Sequence, residues 1–156
     1  MVIAIDFDGT LVQQDGRDYE DVTTPLDLMP GAREALQSLK QAGHMLLLLS
    51  ARANQALLEN PDLDPLVKAG VRKIDRGRWE KSRPVQWARY AQMLRFVESD
   101  LPGIFDAIDD GKAGKPWGVD LFIDDRAMKY GWGAQSNTWP AIARAYGDLF
   151  PVRAAS

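Results

Sequence analysis

Three short apolar runs, each ending in a polar cluster, constrain this chain more than any other feature. Val2–Phe7 leads into Asp6-Phe7-Asp8-Gly9-Thr10, Met45–Leu49 into Ser50-Ala51-Arg52, and Val119–Ile123 into Asp124-Asp125-Arg126. Runs this short and this uniformly apolar read as buried strands, the second covered on both faces. Between the first two, Pro30-Gly31 opens and Gly43 closes a stretch in which Ala32, Ala35, Leu36, Leu39 and Ala42 recur at helical spacing. Strand, helix and strand in that order predict a doubly wound parallel α/β sheet, whose ligand crevice lies outside the carboxyl ends of the strands. All three polar clusters should then meet on one edge.

The rest of the chain is consistent with a single domain spanning residues 1–156. Asn54–Glu59 predicts a short helix broken at Asn60-Pro61, Leu63–Gly70 another short turn, and Ser82-Arg83-Pro84 the start of a helix ending near Ser99. Gly103–Ile108 is expected as an edge strand and Thr138–Tyr146 as a closing helix. About twenty residues, Val12–Met29, suffice for a flap hairpin turning near Asp15-Gly16 but not for a large cap domain. The lack of cysteine excludes disulfides and thiolate metal sites, and a single histidine, His44, makes a two-histidine metal site or a conventional Ser-His triad hard to assemble. The longest aliphatic run, Met45–Leu49, is too short for a membrane span, and the N-terminus carries no basic leader, so the expected location is cytoplasmic.

Net charge is −3, yet nine of the nineteen Lys and Arg residues lie between Lys68 and Arg95, against two acids, Asp75 and Glu80. Such a segment attracts an anionic partner or forms a solvated helix face. On the other side of the balance, four carboxylates brought to one sheet edge repel one another unless a cation neutralises them. Hard oxygen donors without His or Cys favour Mg²⁺.

Asp6-x-Asp8-Gly9-Thr10-Leu11, a strand ending in Ser50, then Lys115, then a strand ending in Asp124-Asp125 resemble, in order, the four motifs of the haloacid dehalogenase-like (HAD) phosphatase superfamily. Gly114-Lys115-Pro116 so close to Asp124 is similar to the small capless members. The likeness covers roughly residues 1–12, 30–52 and 101–127. It implies a Rossmann-like HAD core and a Mg²⁺-dependent phosphatase cleaving a phosphate monoester through an aspartyl-phosphate. Asp6 would be the nucleophile, and Asp8 the acid and base, its pKa raised by neighbouring negative charge. Asp6, the Asp8 carbonyl and Asp124 would hold the metal, with Asp125 ligating directly or through water. Ser50, Ala51 and Arg52 would grip the phosphoryl group, Arg52 as a bidentate contact, and Thr10 would bind substrate or cap the turn. Lys115 would orient Asp6, with Lys112 as its rival in the same loop.

The expected substrate is a phosphorylated small molecule or a larger anion, with nucleic acid a less favoured partner and no membrane. The basic insertion at about 58–83, including Arg76, Arg78, Trp79 and Lys81, would help to recognise it. Trp117, Trp132 and Trp139 flank the last motif and would line the pocket, pack, or meet a second copy. The alternatives are a phosphotransferase of the same mechanism and a catalytically silent anion- or nucleic-acid-binding module on the same fold. A two-component receiver is excluded by order, because receivers place paired acids after the first strand and here they come last.

Overall fold

The computed structural model describes residues 1–126 apart from 15 and 19. Its compact unit, Met1–Asp125, is an α/β fold built on a four-stranded, all-parallel sheet of order β3-β2-β1-β4. The strands are β1 (Val2–Ile5), β2 (Met45–Leu48), β3 (Ala107–Ile108) and β4 (Leu121–Ile123), and the helices are α1 (Ala32–Gln41), α2 (Gln55–Glu59), α3 (Pro65–Lys68) and α4 (Arg76–Asp100). From β1 the chain steps outward to β2 and β3, then returns to β1's other side as β4. Strand order therefore reverses at β1, the place where an open parallel sheet leaves a crevice at its carboxyl edge.

The core explains the central strand. Ile3, Ala4 and Ile5 are buried on both faces, and Phe7 and Leu11 continue the same cluster beyond the strand end. From α4, Met93, Phe96 and Val97 pack into it, with Phe7 and Phe96 edge to face at 5.9 Å between centroids. Strand β2 is buried at Leu46 and Leu48 but exposed at Met45 and partly exposed at Leu47, so one face is covered and the other only in part. The expectation of burial fails more fully at β4. Leu121, Phe122 and Ile123 are exposed, and among the described residues the strand pairs with β1 alone. An uninterrupted apolar run does not distinguish a central strand from an edge strand.

Helix α4 starts well before the expected Ser82. Asp75 caps it by accepting the Arg78 N–H at 3.0 Å, and the helix continues through Pro84. Proline removes one backbone donor there, but the turns on either side hold. Residues Arg89, Gln92, Met93, Phe96 and Val97 form its buried stripe, at the i, i+3, i+4, i+7 and i+8 spacing of a core-facing helix. The short helices α2 and α3 fall where the sequence places them.

The chain does turn between Gln14 and Arg17, whose N–H donates to the Gln14 carbonyl at 3.1 Å, but the pairing that closes the flap lies further along. The Gln13 N–H donates to the Asp27 carbonyl and the Met29 N–H to the Leu11 carbonyl, and Val12 bridges Leu28. Pairing at 13 and 27 closes a wide loop rather than a tight hairpin. Asp15, like Thr138–Tyr146, Trp132 and Trp139, lies outside the described residues. No large cap interrupts the described chain, and among the described residues no helix is long and apolar enough to cross a membrane.

After β3, the loop at Gly111 packs against the turn following β2. Gly111 has φ +68°, and a Cβ there would sit 1.9 Å from the Ala53 carbonyl oxygen. That oxygen belongs to the backbone and cannot swing aside. Gly111→Ala should therefore cost about 2 kcal/mol or more in urea unfolding; an unchanged midpoint would show that this loop does not brace the turn.

Candidate active site

Register brings the ends of β1 and β4 together. Ile5 pairs with Leu48 on one side and with Ile123 on the other, and both ladders extend one step further: the Leu49 N–H donates to the Ile5 carbonyl and the Asp6 N–H to the Ile123 carbonyl, each at 2.9 Å. Asp6 and Asp124 thus follow level, adjacent residues of neighbouring parallel strands. Carboxylate oxygens of Asp6, Asp124 and Asp125 all lie within 4.8 Å of one another. Asp6 is half-buried whereas Asp124 and Asp125 are exposed. Burial pushes the Asp6 carboxyl up to about 6, and the charges of Asp124, Asp8 and Asp125 push the same way against a hydrogen bond from the Phe7 backbone.

The turn after β1 is compact. The Phe7 carbonyl accepts the N–H groups of Leu11 and Val12, and Gly9 adopts φ +83°. A Cβ on Gly9 would lie 2.7 Å from Asp125 Oδ2, so the missing side chain is what admits that carboxylate. Thr10 Oγ1 accepts the Asp125 N–H at 3.0 Å, which ties the first turn to the last motif.

Asp8 faces away from this anionic group, into a cationic one. Arg52 donates through Nε to Asp8 Oδ2 at 2.7 Å and through Nη2 to Oδ1 at 2.6 Å, a bidentate pair. Gln14 adds a bond to Oδ1 at 2.6 Å, and Arg89 Nη2 stands 3.6 Å from Oδ2. The nearest charges that the structure gives Asp8 are thus guanidinium groups, where neighbouring carboxylates were expected. The Arg52 fork expected to meet a phosphoryl group meets Asp8. Its remaining nitrogen, Nη1, donates to Gln92 Oε1 at 3.0 Å and to the Arg89 carbonyl at 3.3 Å, and the guanidinium lies over the Phe7 ring at 5.1 Å. Gln92 in turn donates to the carbonyls of Val22 and Thr24, linking α4 and the flap to Asp8 through two side chains.

Arg89 and Gln92 were missed by motif reading, which counted Arg89 with the basic segment as a whole. A signal was there: two polar residues at core positions of a helical stripe must have partners, since buried polar groups are hydrogen-bonded.

Ser50 sits at the carboxyl end of β2, where its Oγ accepts the Arg52 N–H at 3.2 Å and caps the turn Ala51–Ala53. Ala51 is exposed beside it. Lys115 is placed with its Nζ over the Phe122 ring, 4.4 Å from the centroid, so its described contact is with β4 and not with Asp6. Lys112 lies in an Asx turn closed by Asp110. Trp117 is almost wholly exposed, and His44 faces the N-terminal amine at 3.4 Å.

Beyond Arg52 opens a cavity of about 470 Å³ between α2, the segment 61–74 and the first turns of α4. Of the four residues expected to recognise substrate, Trp79 lines it. Arg76 instead pairs with Asp62, and Arg78 and Lys81 lie outside the lining.

The donor set of Asp6, Asp124 and Asp125 fits a hard divalent cation: three carboxylates converge, with no nitrogen or sulfur ligand in the group among the described residues, and burial makes the charge of Asp6 harder to hold. No family model matches the chain, and no curated protein or solved structure matches it significantly.

Proposed function

We propose that the chain is a divalent-cation-dependent phosphomonoesterase of the HAD type, with a doubly wound Rossmann-like core and Asp6 as nucleophile. The observation that carries this reading is the meeting of Asp6, from the first strand, with Asp124 and Asp125, from the last, where strand order reverses. Acids so far apart in sequence and so close in space are held together against their own repulsion.

Asp6, Asp124 and Asp125, with the Asp8 carbonyl, would hold Mg²⁺, which when bound neutralises charge on the carboxylates and the phosphoryl oxygens. Asp6 forms an Oδ–P bond as the bond from phosphorus to the leaving alcohol breaks, and Asp8 gives that alcohol its proton. Water then attacks phosphorus, Asp8 takes the proton back, and the Asp6 carboxylate leaves with its electron pair. For either proton step Asp8 must loosen a bond to Arg52 or Gln14, so the fork holds Asp8 in place and also governs when it is free to act. Ser50 and the N–H groups beside it would receive the phosphoryl oxygens, and Lys115 would reach the site by leaving the Phe122 ring.

Hydrolysis of p-nitrophenyl phosphate by the purified chain should depend on added Mg²⁺ and stop with EDTA. Turnover that ignores EDTA would refute the metal-dependent mechanism. A second reading, an anion-binding module without turnover, is favoured by one observation: both Asp8 oxygens are already engaged. Anion binding with no turnover at any Mg²⁺ concentration would select it.

A further inference from the structure

The cavity beside Arg52 combines apolar, aromatic, cationic and hydrogen-bonding side chains, the last being Asn54, Asp64, Ser82 and Gln86. Leu57, Leu58 and Ile74 give it an apolar wall, and the half-buried indole of Trp79 adds a flat aromatic surface. Arg83, outside the lining, lies over that indole at 5.4 Å and braces the ring. Two further cations complete the lining. Arg72 is paired with Asp64 at 3.2 Å, whereas Lys73 has no acidic partner among the described residues. Arg52 is the shared wall, lining the cavity and gripping Asp8.

We propose that this cavity is a specificity pocket for the leaving group of the substrate, and that the group it takes is nucleotide-like: a planar base against Trp79 with a second phosphate at Lys73. The inference rests on the phosphomonoesterase reading for which end of the substrate reacts, but not for the pocket's own chemistry. A sugar phosphate without a base could bond Asn54, Ser82 and Gln86 in the lining, but it would leave the indole and the apolar wall of Leu57, Leu58 and Ile74 without an apolar partner. A planar ring stacks on the indole, and the second anion finds a cation not already neutralised.

Binding of adenosine 3′,5′-bisphosphate to the full chain carrying Asp6→Asn, followed by calorimetry, tests this without turnover. Trp79→Ala in that background should weaken binding about tenfold or more, while Trp79→Phe, which keeps a ring, recovers most of it. Lys73→Ala, at an exposed position that does not threaten folding, should weaken the bisphosphate several-fold and flatten its salt dependence, yet leave adenosine 5′-monophosphate almost unaffected. Lys68→Ala removes the same charge from the same basic segment outside the lining and should change nothing. Equal affinity in the Lys73→Ala and parent proteins, or ribose 5-phosphate binding as tightly as the bisphosphate, overturns the proposal. Mg²⁺-dependent turnover of acetyl phosphate by the unsubstituted chain separates the two ideas. Its absence refutes the Asp6 reading while pocket binding stands, and its presence without selective binding refutes the pocket alone.

Discussion

On the proposed mechanism Asp6→Asn should reduce phosphatase turnover by at least about 10³-fold, since it would remove the nucleophile and not merely a contact to it. The same substitution should make the metal-free protein more stable above pH 6. In the folded chain Asp6 titrates at about 6, against an ordinary 3.8, mainly because burial opposes its charge. Between those two values the folded state holds a proton that the unfolded state has released. The stability contributed by neutral Asp6 is therefore fully present below about pH 4, declines as pH rises toward 6, and is lost above it. Asparagine never acquires the charge. Melting curves of parent and variant without divalent ions should converge near pH 4 and separate above pH 6, with the variant higher by a few degrees, about what 1 kcal/mol gives in a chain of this size. The figure is kept small because half-exposed groups are screened by solvent. Mg²⁺ should reverse the ranking by raising the parent's melting temperature and leaving the variant's unchanged. A variant that melts with the parent at every pH, with or without Mg²⁺, would remove Asp6 from any charged cluster.

That behaviour depends on strand-end geometry that was partly legible in the sequence. Val2–Ile5 is apolar throughout and is followed by acidic residues and Gly9, and α1 is bracketed by Pro30-Gly31 and Gly43, so local chemistry alone sets both elements. Where tertiary context decides, the reading fails. Leu121–Ile123 carries the apolar signature of a central strand but occupies an edge. Pro84 imitates a helix start because proline favours first turns, while the real cap, Asp75, stands ahead of Gly77 and a run of arginines that gives no periodicity. Lys115 follows a motif, yet the contact it makes depends on Phe122 being exposed on β4. Charge alone also could not sort the basic segment. Arg89 is 1% exposed, Arg72 and Arg76 pair with nearby acids, and Lys73 lacks an acidic partner among the described residues.

A second buried cation, outside that segment, leads to the other large expected effect. Arg52 is 4% exposed and spends every nitrogen of its guanidinium on Asp8, Gln92 and the Arg89 carbonyl. Arg52→Ala would leave the Asp8 carboxylate without its bidentate partner and Gln92 Oε1 without its donor, in a region packed against Phe7. Breaking a buried pair from one side costs about 3–5 kcal/mol, a large share of the roughly 5–15 kcal/mol that holds a domain together. Urea unfolding should register most of that loss. Arg52→Lys should recover little, because one ammonium cannot reach both Asp8 oxygens, Gln92 and a backbone carbonyl together. Asp8→Asn combined with Arg52→Ala should destabilise by less than the sum of the single changes, since each alone strands the other's charge. Turnover adds a separate readout. If the fork positions Asp8 for proton transfer, Arg52→Lys lowers kcat more than it raises KM. Strict additivity in the double variant, together with an unchanged kcat in Arg52→Lys, would mean that Asp8 and Arg52 act independently despite their 2.6 Å contact.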